Sequence, residues 1–113
     1  MQSNELVKLI EAELEERKAL QITTLDVHDK TSITDYMVIV TATSSRHAKA
    51  LCDYVSEKVK ANGVMPLGME GQLVSDWVLL DLGDVILHVM TGQAREAYQL
   101  EKLWSVPASR ENG

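Results

Sequence analysis

The run SDWVLLDLGDVILHVM, from Ser75 to Met90, constrains this chain more than any other stretch. Val78, Leu79 and Leu80 precede Asp81-Leu82-Gly83-Asp84, and Val85, Ile86 and Leu87 follow it, so two β-prone segments flank a glycine-containing turn. The pattern predicts a hairpin. Successive side chains of a strand point to opposite faces, which puts Trp77 and Leu79 on one side and Val78 and Leu80 on the other. Both faces are therefore apolar, and the hairpin belongs in the middle of a sheet. Asp81-Leu82-Gly83 suits a three-residue loop, a type I turn followed by Gly83 in the left-handed region, where a Cβ would be costly. The remaining residues have to cover this sheet.

The flanking sequence supplies the cover. From Asn4 to Leu20, Leu6, Val7, Leu9, Ile10 and Leu14 recur at helical spacing with Glu11, Glu13, Glu15, Glu16, Arg17 and Lys18 on the other arc, and Ser3 is placed to cap this helix. Gln21 to Val27 reads as a strand, ending at His28-Asp29-Lys30. Tyr36 to Ala42 is a continuous run rich in β-branched residues, as in a strand buried on both faces. Thr43-Ser44-Ser45 offers caps for a second helix, whose stripe is Ala48, Leu51, Cys52, Val55 and Val59 and whose stop is Asn62-Gly63. Pro66 allows only a short edge strand, Leu67 to Glu70. Thr91 caps a last helix that packs through Ala94, Ala97, Tyr98, Leu100 and Trp104. The expected fold is a single α/β (α+β) domain over residues 1–104, a mixed sheet of about five strands with three helices. Ser105 to Gly113, with Pro107 and no apolar period, reads as a disordered tail. Helices of this number and length cover one face of such a sheet comfortably, so a partly open apolar face, of the kind that marks a protein interface, is expected.

Charge and chemistry narrow the function. A net charge of -6 works against broad contact with phosphates, since nucleic-acid affinity comes largely from Lys and Arg. Cys52 is the only cysteine, which excludes an internal disulfide and fits a reducing compartment, and the acidic N-terminus does not resemble a secretory signal. With no apolar run of membrane-spanning length, the expectation is a cytoplasmic protein. His28, His47 and His88 have no sequence-local nucleophile or metal-ligand partners, and Cys52 sits within a helical core stripe. His88, between Leu87 and Val89, reads as a hydrogen-bonded sheet histidine. Asp35, just before a buried strand, reads as a residue that bonds loop N–H groups. Asp76, Asp81 and Asp84 lack both the grouping and the glycine-rich phosphate loop of a metal-dependent phosphoryl-transfer site. No cofactor, metal or catalytic residue is called for.

The strings SITDYMVIVTATSSRHAKAL, PLGMEG, SDWVLLDLGDVILHVM and YQLEKLW resemble, in order and spacing, the ribosomal silencing factor family, also called RsfS, YbeB or Iojap. The resemblance extends from the first helix to Trp104. It implies a fold like that of nucleotidyltransferases but without their catalysis. It also implies a cytoplasmic factor that binds the large ribosomal subunit through ribosomal protein uL14 and blocks joining of the small subunit. The family is associated with repression of translation in starvation or stationary phase and with large-subunit biogenesis. Within the matching motifs, partner binding is assigned to Met69, Glu70, Trp77, Leu79 and Asp81, a choice of side chains that rests on the face argument; the competing role for Trp77 is in the core. A second copy of the chain could cover the apolar face when the protein is free. The alternative function is a nucleotide-binding or nucleotidyltransferase enzyme.

Overall fold

The computed structural model describes residues 1–71 and 76–105, the last three as backbone. The elements run α1 (Ser3–Glu16), β1 (Leu20–Asp26), β2 (Tyr36–Ala42), α2 (Ser45–Ala61), β3 (Gly68–Glu70), β4 (Trp77–Asp81), β5 (Val85–Thr91), α3 (Gly92–Tyr98) and α4 (Leu100–Ser105). The strands form one sheet in the order β1-β2-β5-β4-β3. Among the described strands only β2 and β5 pair in parallel, from Tyr36 with Val85 to Ala42 with Thr91. These two strands carry the continuous apolar runs, and all of β5 from Val85 to Met90 is buried.

One face of the sheet carries the main core. Leu6, Val7, Ile10 and Leu14 of α1 and Ala48, Leu51, Cys52, Val55 and Val59 of α2 pack together and onto Val38, Val40, Val78, Leu80, Leu87 and Val89. The cap of α1 is Gln2 rather than Ser3, which is already helical, and the Glu5 carboxylate accepts from the Gln2 N–H at 2.9 Å. Ser44 caps α2, its hydroxyl accepting from His47 N–H at 3.1 Å, and Gly63 past its end has φ +86°.

The hairpin is where the sequence places it, and Gly83 is left-handed at φ +85°. Its loop begins one residue later than expected, however, because Asp81 remains in β4, paired with Ile86. The loop closes through Leu82 N–H to Val85 O at 2.9 Å and Asp84 N–H to Leu82 O at 3.1 Å. The first helix also ends sooner than its periodicity suggests, at Glu16, with Lys18 at φ 63° turning the chain so that Leu20 opens β1. The third helix is divided: Gln99 at φ 50° separates α3 from α4. Ser105, placed in the expected tail, is the last residue of α4, while the rest of that tail and the Trp104 side chain lie outside the described residues.

Candidate protein-docking site

The second face of the sheet is built by the other set of alternating side chains. Cross-strand pairs Trp77–Met90, Leu79–His88 and Asp81–Ile86 lie on it, with Met37, Ile39 and Thr41 of β2. α3 lies against β5 and β2, and α4 against β1. Together they form a small second core of Ile39, Met90 and Ala94 with Leu25, Trp77 and Leu100 at its margin. Toward β4 and β3 this cover thins. Trp77, Leu79 and Asp81 are half-buried and Glu70 is exposed. A shallow depression of about 260 Å³ there is lined by Glu70, Gly71, Trp77 and Leu79.

Arg95 holds the cover in place. Its buried guanidinium donates to the backbone oxygen of Gln21, to Thr41 Oγ1 at 2.9 Å and Thr23 Oγ1 at 2.8 Å, and to Glu101 Oε2 from Nε at 3.1 Å and Nη2 at 2.5 Å. One planar fork thus ties α3 to β1, β2 and α4, a task that five fixed N–H donors suit. The Gln21 carbonyl is available because β1 is irregular between Leu20 and Thr23, with Gln21 at φ 51°. The hydrogen bonds from Arg95, helped by its charge, hold the Glu101 carboxyl below the usual carboxylate range. In the sequence nothing singles out Arg95 beyond its place between Ala94 and Glu96 on a helix expected to pack.

Of the five side chains assigned to partner binding, the fold brings Glu70, Trp77, Leu79 and Asp81 to one face. Met69 is on the other: it pairs with Leu80 and packs against the helix-covered core. Asp81 is partly engaged in the hairpin, its carboxylate accepting from Gly83 N–H at 2.9 Å. Trp77 is neither a core residue nor a free anchor. Its indole N–H donates to His88 Nδ1 at 3.0 Å, and its ring lies 4.9 Å from that of Tyr98. Accepting at Nδ1 puts the His88 proton on Nε2, which is buried without a partner among the described residues. Burial pushes the His88 pKa down to about 4, so the ring is neutral at ordinary pH. The hydrogen-bonded sheet histidine expected at position 88 is thus present, and Tyr98, expected to pack inward, lies beside Trp77 with 60% of its surface exposed.

The other candidate groups are scattered. Burial pushes the Cys52 thiol up to about 12, which leaves it inert at neutral pH. Asp76 accepts from the Ser45 hydroxyl at 2.8 Å, joining the start of α2 to β4, while Asp81 and Asp84 belong to the hairpin. Among the described residues no three His, Cys, Asp or Glu side chains are grouped to hold a metal ion. Asp35 ties its loop through its main chain, donating to Asp84 O at 3.0 Å and accepting from Val27 N–H at 2.9 Å. His47 accepts from Thr43 N–H at 2.9 Å. No helix among the described residues is long and apolar enough to cross a membrane.

The chain that carries this half-buried sheet face matches known proteins over nearly its whole length. The family model described as "Ribosomal silencing factor during starvation" matches residues 1–112. The chain belongs to the ribosomal silencing factor family. Within that family, the chain is 44% identical to the ribosomal silencing factor RsfS of Haemophilus influenzae over 100 residues, 88% of this chain and 98% of the relative. It is 33% identical over 96 residues to the mouse mitochondrial assembly of ribosomal large subunit protein 1, covering 82% of this chain and 42% of that protein. A crystal structure from Chromobacterium violaceum superposes with a TM-score of 0.90 at 37% identity over 100% of both chains. A second, from Bacillus halodurans, gives 0.80 at 31% identity over 89% of this chain and 94% of the other. Membership in the family assigns the protein to ribosome-associated regulation of translation.

Proposed function

We propose that this protein docks on the large ribosomal subunit through the open part of its second sheet face and, by occupying the joining surface, keeps the small subunit away. The observation that carries this reading is the patch of Trp77 and Leu79, half-buried and rimmed by the acidic Glu70 and Asp81, in a member of the silencing factor family. Its chemistry is that of a protein interface: an aromatic anchor with an aliphatic neighbour and a charged rim. The negative rim and the net charge of -6 favour a basic protein as the immediate contact, for which ribosomal protein uL14 is the candidate, over bare RNA. The mouse relative named for assembly of the ribosomal large subunit supports the choice of subunit. In this reading the protein acts in the cytoplasm, needs no cofactor and catalyses nothing.

The test is sedimentation of the purified protein with isolated subunits and joined ribosomes. It should travel with large subunits alone and reduce the yield of joined particles when added first. Equal binding to small subunits, or joined ribosomes that form undiminished under saturating protein, would overturn the proposal. Nucleoside triphosphate and Mg²⁺ added to the protein alone should give no turnover.

A further inference from the structure

We propose that His88 is a positioning residue for docking: its imidazole Nδ1, accepting the Trp77 indole N–H at 3.0 Å, fixes the orientation in which Trp77 meets its partner. The inference rests on the docking face proposed above. His88 stands in the middle of β5 between Leu87 and Val89, in a strand whose other buried members are all apolar. It is 6% exposed, and its Nε2–H has no acceptor among the described residues. An apolar side chain would avoid both the desolvation and the unmet donor, each a cost to folding. What an apolar residue could not do is accept from the indole. Leu79 is directly opposite His88, and Trp77 is its diagonal neighbour across the hairpin, within reach of two long flat side chains. The rings are tilted at 48° with centroids 5.8 Å apart, so the contact is made through the nitrogens and not by stacking. Tyr98 closes on the indole from the end of α3 at 4.9 Å. Trp77 is therefore set before any partner arrives, and an anchor already held in its bound orientation loses less freedom on binding.

Three substitutions test this. In His88→Asn the amide oxygen can take the place of Nδ1 and keep the acceptor; His88→Leu has nearly the same shape without it, and His88→Gln carries its amide to the Nε2 position instead. The readouts are the Trp77 indole N–H resonance, assigned by its absence in Trp77→Phe, and affinity for isolated large ribosomal subunits well below the unfolding transition. His88→Asn should keep a downfield, slowly exchanging indole signal and bind within about threefold of the parent. His88→Leu and His88→Gln should lose that signal and bind about tenfold more weakly, the scale of one hydrogen bond's worth of ordering. An indole signal unchanged in His88→Leu and His88→Gln overturns the proposal. So does a changed signal with unchanged affinity while Trp77→Ala binds poorly, a result that leaves the docking face intact. Normal binding by Trp77→Ala itself would instead overturn the docking reading, and this proposal with it.

Discussion

At the scale of single residues, two histidines give the protein opposite responses to pH. The folded pKa of His88, about 4, is below the usual 6.5, so between those values the unfolded chain holds a proton that the folded one does not. Stability must fall as pH drops through that window, by about 3 kcal/mol when fully expressed. His28 works the other way. The Asp26 carboxylate, 2.5 Å away, raises its pKa, so its contribution is present below the unfolded value and is lost as pH rises through the folded one. Urea unfolding from pH 7 to pH 4 should show the His88 loss in the parent and a much flatter profile in His88→Leu; parallel profiles would mean that His88 titrates normally. The second prediction concerns the anchor. Trp77→Ala and Leu79→Ala should each cost about 2 kcal/mol or more of large-subunit binding, as central interface residues do. The half-buried Trp77 should cost less stability than the roughly 3 to 5 kcal/mol of a fully buried aromatic. A folded Trp77→Ala protein of parental affinity would remove this face from the interface. Both tryptophan roles could be named from the sequence, but the bond joining Trp77 to His88 required the hairpin register.

Among the elements, those with strong local signals were legible and those set by tertiary contacts were not. The hairpin could be read from Gly83, and the second helix from Ser44 and Gly63, because each occupies a backbone state or cap that its residue type favours. The end of α1, the irregularity in β1 and the break between α3 and α4 turn instead on Lys18, Gln21 and Gln99, all at positive φ with side chains that carry no turn signal. Gln21 and Gln99 both flank the Arg95 network, so distant contacts fix what local propensity leaves open. Met69 and Glu70, adjacent in β3, must face opposite ways, and only the pairing of Glu70 with Leu79 shows which of them shares the face of Trp77. A strand slipped by one residue exchanges its faces, and nothing in Leu67 to Glu70 sets its register against β4. Arg95 yields the third prediction. Arg95→Met should destabilise the protein by about 3 kcal/mol, because it strands hydrogen-bonding partners of a buried charge. Glu101→Gln should cost about 1 kcal/mol. If α3 then lifts, Tyr98 should leave Trp77 and tryptophan emission should change; an Arg95→Met protein with parental stability and emission would show that α3 is held by its apolar contacts alone.

Across the whole molecule, charge and topology act over longer distances than any contact. With a net charge of -6 and Glu70 on the open rim, association with a basic partner should slow as salt rises. Glu70→Gln should lower the association rate and its salt dependence while leaving dissociation nearly unchanged; a purely dissociative effect would place Glu70 inside the contact. Topology sets the order of events in folding. The strand at the centre of the sheet, β5, is also the last of the described strands along the chain, and β2 and β4 both pair with it. Until Val85 to Thr91 are available, β1–β2 and β3–β4 are two separate ribbons with no shared edge, and bringing Tyr36 to Val85 requires closing a long loop. A fragment ending at Asp84 should therefore show no cooperative unfolding transition. The proposed docking face inherits that order: Trp77 meets His88 only across the β4–β5 ladder, so the anchor is oriented no earlier than the step that joins the two ribbons.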